Sequence, residues 1–407
     1  MLKADVVILG LGYVGLPTAA LIASKQTFVH GVDTNKKVID GIKNEKIHIN
    51  EPGLNSLVTK VKKLGFFKCN TFPVKSKIYI ITVPTPIKKN NKPNLSYIKN
   101  ATKSIIDLLD KGDLYIIEST SPVGTTEKMM RYIYKKRPDL KDNLFISYCP
   151  ERVLPGNAIN EMINNDRVIG GINQISTEYT ISFYKKFIKG KLFPTNAKTA
   201  EMCKLIENSS RDLQISFANE LSMICDKANI DVWELINLAN KHPRVNILTP
   251  GPGVGGHCIA IDPQFIISDF PKNSKIIKQA RKTNNYKSTW CVNKIMNTIN
   301  NFKNKNHINP VIAIMGLTFK PDVNDLRESP SEKITRTLIS DHNLNNYHIV
   351  DPHIKEYIYP LSNIKNALNK SDIIIFLVAH KLFNNIKIKK NQTVLDFCGI
   401  INNKILK

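Results

Sequence analysis

The 407 residues are enough for two or three domains with their own cores, and 42% apolar with 23% charged residues is an ordinary globular balance. No apolar run is long enough to cross a bilayer, and MLKADVVILG passes straight into a strand-like run too short and unflanked for a signal peptide. The formal charge of +24 does not read as a nucleic-acid footprint, because only 9 of the 58 basic residues are arginine and the lysines are spread rather than clustered.

What a positive field does favour is an anionic, phosphate-bearing substrate. Seven scattered cysteines, an odd number with no CxxC pair, fit a reducing cytoplasm better than a disulfide framework.

In chain order, VVILG at 6–10, FVHGVD at 28–33, IYIITVP at 78–84, LYIIES at 114–119 and LFISYCP at 144–150 are short, apolar and rich in β-branched residues. Helical patterns such as TAALIASK and YIKNATKSIIDLLDK lie between several of them, which predicts a mostly parallel sheet wrapped by helices. A shorter strand, RVIGG at 167–171, extends this domain to about residue 195. From 198 to 228 there is no Pro or Gly, and Leu205, Leu213, Phe217, Leu221 and Ile224 recur at helical spacing. WELINLANK and the stretch 274–304 continue the helical character, predicting an all-helical spacer and subunit contact. PVIAIMG, YHIVDP, DIIIFLVAH and TVLDFCG then read as four more parallel strands. The expected architecture is α/β: a Rossmann-like doubly wound domain at 1–197, a helical domain at 198–304 and a second Rossmann-like domain at 305–407.

Residues 10–15, GLGYVG, follow a strand and open a helix-like run. Gly10, Gly12 and Gly15, with Tyr13 and Val14 between them, are spaced for a tight turn that lets a pyrophosphate approach a helix N-terminus. Asp33 ends the next strand, where a carboxylate binds ribose hydroxyls and repels a 2′-phosphate, so NAD is expected rather than NADP. Thr85 in TVPTP, and Glu118 and Thr120 in ESTSPVGTT, stand at further strand ends facing the same cleft, although Ser, Thr and Pro are also common turn formers.

Two other features carry chemistry. In AEMCKLIENSSRDLQ, Lys204, Asn208 and Arg211 stand at i, i+4 and i+7 and share one helical face, as a solvated face also does. In GPGVGGHCIAID at 251–262, glycines crowd a thiol, Cys258, followed four residues later by Asp262. Glycines allow close approach to the main chain, which presents a thiol to something bulky; a tight turn with an inert cysteine is the other reading.

These segments, together with YCPERVLPG at 148–156 and FKPDVNDLRESP at 319–330, occur in an order that resembles the UDP-glucose/GDP-mannose dehydrogenase family from end to end. The resemblance implies a four-electron oxidation in which two NAD+ in succession convert the C6 alcohol of a nucleotide sugar to a carboxylate. Cys258 would capture the aldehyde as a thiohemiacetal, and a thioester would then be hydrolysed. The same resemblance makes Lys204 the group handling the proton and oxyanion, Asn208 and Asp262 the water- and thiol-orienting partners, Glu151 the hydrolytic base, and Thr120 a neighbour of the nicotinamide. Arg152, Val153, Arg211, His242, Arg244 and Gly255 would touch the sugar nucleotide, with Phe319, Lys320 and Arg327 contributing from the third domain and Arg327 reaching a neighbouring subunit. No metal is implied, and a homodimer is.

Ile261 stands where UDP-glucose enzymes carry Lys, and HPRVN at 242–246 belongs to the N-acetylaminosugar branch. The expected substrate is therefore UDP-N-acetyl-D-mannosamine, on an envelope polysaccharide route, with UDP-N-acetylglucosamine or UDP-glucose as alternatives. Cys398 stands where a basic residue is common. A two-electron alcohol dehydrogenase and a non-catalytic sugar-nucleotide binder are the competing readings.

Overall fold

The computed structural model describes residues 3–88, 92–153, 156–256 and 258–401. Two compact units divide the chain, Met1–Glu207 and Asn208–Lys407, and the boundary falls inside one long helix, Ala197–Ala228.

In the first unit β1 (Lys3–Leu9), β2 (Val29–Val32), β3 (Phe67–Asn70), β4 (Lys75–Ile81), β5 (Leu114–Ile117), β6 (Phe145–Tyr148), β7 (Arg167–Gly171) and β8 (Leu192–Asn196) form one sheet. Their order is β3-β2-β1-β4-β5-β6-β7-β8. Every neighbouring pair is parallel except β6 with β7. Parallel strands covered on both faces have no solvated side, which is why β2 and β5 are buried at every position. Alternate residues of β1 serve the two faces: Val6 and Ile8 pack with the helix Gly15–Ala23, whereas Val7 and Leu9 pack with Ile98, Ile105 and Met129.

Two of these strands differ from the expected pattern by omission. FKCN of β3 offers only two apolar residues in four, and β8 contains Pro194, which an edge strand tolerates because one side makes no ladder. A third difference is orientation: β7 runs antiparallel to β6 in an otherwise parallel sheet.

The second unit holds the rest of the long helix, the helices Val232–Ala239, Asp262–Asp269 and Lys275–Asn306, and a four-stranded parallel sheet. Its strands are β9 (Ile312–Met315), β10 (Tyr347–Val350), β11 (Ile373–Phe376) and β12 (Thr393–Asp396), in the order β10-β9-β11-β12. Ile312 and Ile314 pack against Cys291, Val292 and Ile295 of the helix Lys275–Asn306, and Ala313 and Met315 face the opposite cluster. No helix of the described residues is long and apolar enough to cross a membrane.

Candidate active site

The dinucleotide-type turn is built from two glycines that the protein needs and one that it does not. Gly10 has φ +101°, and a Cβ there would sit 2.9 Å from the Thr82 carbonyl at the end of β4. A Cβ on Gly15 would overlap the Gly10 carbonyl oxygen and lie 2.5 Å from Thr82 Oγ1. That hydroxyl donates to the carbonyls of Leu9 and Gly10, tying β4 to the turn. Around Gly12, by contrast, nothing lies within 4 Å, so the open space there suits a ligand rather than a neighbouring side chain. Asp33, half-buried at the end of β2, accepts the Leu11 N–H (2.9 Å) on one oxygen and the Asn35 N–H (2.8 Å) on the other. The carboxylate thus stands at the end of the turn, tied to its backbone. Tyr13 is exposed and Val14 is the residue at the helix start. Turn, helix start and acid fit NAD.

The next strand ends are laced together. Thr85 Oγ1 donates to the Thr120 carbonyl (2.6 Å), joining the loops after β4 and β5, with Thr120 half-buried. Buried Glu201 accepts the Gly124 and Thr126 N–H groups and the Thr126 hydroxyl, capping the helix Thr125–Lys136 from the long helix. Sequence reading did not single out Glu201, since a glutamate inside a helix looks like any surface glutamate.

Beyond β6, Glu151 is buried, ion-paired to Arg167 of β7, and accepts the Arg152 N–H at 2.7 Å. Arg167 also lies 3.8 Å from Glu118, whose carboxylate takes hydrogen bonds from the Tyr184 hydroxyl and from Thr18 Oγ1. Burial pushes Glu118 up to about 7, against the pull of Arg167 and with the repulsion of Glu151. Burial likewise raises the neighbouring Cys149 thiol to about 12, which makes it a poor nucleophile. The Arg152 side chain pairs with Glu207 (2.6 Å) and donates to the Asp166 carbonyl, and Val153 packs on the core.

In the second unit Cys258 is the one exposed cysteine of the seven. The glycine loop before it is pinned at three points: Gly251 N–H donates to Asn219 (2.9 Å), the Pro252 carbonyl accepts from Ser288 Oγ (2.9 Å), and Gly256 N–H donates to the Arg327 carbonyl (3.1 Å). Asn219 is held in turn by Asn284, which bonds Asp212, the partner of Arg281. The glycines serve this packing. A Cβ on Gly255 would meet the Glu328 carbonyl at 2.5 Å and Phe319 at 2.8 Å, and one on Gly256 the Phe319 ring at 2.8 Å. At these two positions the missing side chains make room for the 319–330 loop, a cause different from the ligand access read from sequence. After the thiol, the Asp262 N–H closes a turn onto the Cys258 carbonyl (2.9 Å), and buried Asp262 accepts from Asn208 Nδ2 at 2.5 Å.

The other expected contacts are more open. Arg211, His242, Arg244 and Lys320 are exposed, and the Arg244 N–H leans on His242 Nδ1 (3.3 Å). Arg327 forks onto Asp325 of its own chain. The second sheet repeats the first turn in miniature: Gly316 has φ +101° like Gly10, and Asp351, ending β10, accepts the Leu317 N–H at 2.7 Å as Asp33 accepts that of Leu11. Asp351 is buried and capped by His380, whereas Asp33 is not. The two turns therefore present different chemistry.

The family's NAD binding domain matches residues 4–188, its central domain 198–286 and its UDP binding domain 313–403. The chain belongs to the UDP-glucose/GDP-mannose dehydrogenase family. It is an NAD-dependent oxidoreductase of that family. It is 49% identical to a UDP-N-acetyl-D-mannosamine dehydrogenase of Campylobacter jejuni over 97% of this chain and 98% of that one. It is 43% identical to an NDP-N-acetyl-D-galactosaminuronic acid dehydrogenase of Ralstonia nicotianae over 97% and 95%. Among solved structures, the UDP-N-acetyl-mannosamine dehydrogenase Cap5O from S. aureus superposes with a TM-score of 0.87 at 34% identity, covering 98% of this chain and 100% of that one.

Proposed function

We propose that this dehydrogenase oxidises UDP-N-acetyl-D-mannosamine at C6 to UDP-N-acetyl-D-mannosaminuronate, feeding an envelope polysaccharide. The observation that carries the covalent reading is the exposure of Cys258 in a chain whose six other thiols are buried or half-buried. The relatives' names carry the sugar.

NAD held at the Gly10–Gly15 turn and Asp33 would supply the hydride acceptor, two for each sugar. In the reading we favour, Lys204 takes the C6 hydroxyl proton and later faces the oxyanion, with Thr120 beside the nicotinamide. Cys258 Sγ adds to the aldehyde carbon, giving a thiohemiacetal whose loss of hydride leaves a thioester. Asn208 and Asp262 orient the thiol and the incoming water. Glu151 removes the water proton; the C–S bond breaks, and the thiolate is released with the carboxylate product. Arg152, Val153, Arg211, His242, Arg244 and Gly255 contact the sugar nucleotide, with Phe319, Lys320 and Arg327 contributing from the third domain and Arg327 reaching a neighbouring subunit's site. These contacts divide among three parts, 1–197, 198–304 and 305–407.

A homodimer through the long helix is part of the same proposal. Phe217 and Ile224 lie two turns apart on one face and are 55% and 57% exposed, with Ile206 further along that face at 45%. Seven free thiols suit the cytoplasm.

The test is to count NADH formed per nucleotide sugar consumed, over a panel of UDP-sugars in manno, gluco and galacto configuration with and without the 2-acetamido group. Two NADH, with fastest turnover on the manno acetamido sugar, is the expected result. One NADH supports the simple alcohol dehydrogenase, and none a binder. Cys258→Ala is expected to abolish acid formation while NAD affinity stays within twofold; acid formation at the wild-type rate would overturn the covalent route.

A further inference from the structure

We propose that Arg167 is the positioning residue for Glu151, and that the reversed strand β7 exists in this sheet to deliver it; this rests on the reading of Glu151 as the hydrolytic base. In parallel α/β sheets, ligand-facing groups stand at the carboxyl ends of the strands, so the first residue of a strand lies at the wrong end. Arg167 is the first residue of β7. Because β7 pairs antiparallel with β6, Ser147 with Gly171 and Tyr148 with Gly170, its start lies at the carboxyl end of β6. Continuing that register by three residues brings Arg167 directly opposite Glu151, and the ion pair between them is formed.

The surroundings leave Glu151 little freedom. One carboxylate oxygen is held by the Arg152 N–H and the other by the Arg167 guanidinium. The guanidinium is itself fixed by everything packed around it: Glu118 from the loop after β5 at 3.8 Å, the Tyr184 ring at 5.3 Å, and Cys149 Sγ at 4.0 Å. Glu118 is anchored by Tyr184 and by Thr18 of the helix that the dinucleotide turn opens. A line of contacts therefore runs from that helix through Glu118 and Arg167 to Glu151. Two carboxylates share one cation, and the rise of Glu118 toward neutrality leaves Arg167 to Glu151 when Glu118 holds a proton. A carboxylate that removes a proton from water needs a defined direction, and a displacement of about 1 Å costs on the order of 100-fold in rate.

The experiment is rapid-mix kinetics on the full-length enzyme with NAD+ and UDP-N-acetyl-D-mannosamine, following NADH by absorbance and the acyl-enzyme by intact-protein mass after acid quench. Arg167→Lys keeps the charge but loses the fork; Arg167→Gln combined with Glu118→Gln removes the cation together with the second carboxylate it faces, leaving Glu151 held by the Arg152 N–H alone. In both, the two hydride transfers are expected to stay within threefold of wild type while hydrolysis slows about 10- to 100-fold and acyl-enzyme accumulates. Adding Arg167→Lys to Glu151→Gln is expected to slow hydrolysis no further. Equal slowing of every step, or no accumulation in either variant, overturns the positioning role. If Glu151→Gln alone fails to accumulate acyl-enzyme, the reading of Glu151 as base falls instead, which separates the two failures.

Discussion

Gly12 and Gly15 stand three residues apart in one motif, and alanine at each is expected to fail in a different way. At Gly15 the new methyl overlaps the Gly10 carbonyl oxygen and crowds Thr82 Oγ1 at 2.5 Å, and both are held by the same hydrogen bond, so neither can retreat alone. Overpacking against backbone costs about 3 kcal/mol, the upper end of the usual range. For a unit of this size that lowers the melting temperature by roughly 6–12 °C. At Gly12 the methyl enters open space, so stability is expected to change by no more than about 0.5 kcal/mol. What it meets is the ligand: loss of one charge-assisted hydrogen bond to the pyrophosphate costs about 1.5–3 kcal/mol, or roughly 10- to 100-fold in NAD affinity. Differential scanning fluorimetry and calorimetric NAD titration on both variants read the two effects separately. If Gly12→Ala melts as early as Gly15→Ala, or binds NAD at the wild-type Kd, the assignment of that space to a pyrophosphate is wrong.

Three further outcomes are expected. Asp33→Asn keeps an oxygen for the Leu11 N–H but loses the charge, so the ratio of kcat/KM for NAD over NADP is expected to fall at least about tenfold, checked by initial rates; an unchanged ratio removes Asp33 from cofactor choice. Folded Glu118 holds its proton up to about 7, whereas the unfolded side chain releases it near 4.5, so the unfolded state binds fewer protons in that window and stability falls as pH rises through it. Glu118→Gln removes this dependence, and the wild type is expected to lose on the order of 3 kcal/mol more than the variant across the window in denaturant titrations; parallel curves would show that Glu118 is ionised throughout. Gly255→Ala is expected to cost about 2 kcal/mol, because its methyl collides with the Glu328 carbonyl, and to change the alkylation rate of Cys258; a variant with wild-type melting and thiol reactivity would show that the loop is not packed this way.

Much of the fold was legible along the chain. β1, β4, β5, β9 and β11 are apolar and β-branched over four or more residues, and the long helices repeat their apolar residues at a spacing that no strand supports. β3 and β8 were not legible, since a half-polar tetrapeptide and a proline-containing run carry no strand signal. Of the site, the dinucleotide turn was readable because its spacing acts within a single strand–turn–helix unit. The thiol was noticed but the packing of Gly255 and Gly256 was not, because Phe319 and Glu328 stand more than sixty residues away along the chain.

Residue order alone was sufficient for what depends on a few successive residues: strand or helix, the tight turn, the acid that follows it, and the family these belong to. Folding decided what depends on register and burial. RVIGG reads the same whichever way it runs, and only the antiparallel pairing puts Arg167 against Glu151. Glu118 is an ordinary carboxylate on paper, and it holds a proton to about 7 because the surrounding protein has taken its water away. Backbone sterics and apolar spacing act locally, whereas desolvation and ion pairing act between groups brought together only when the chain closes on itself.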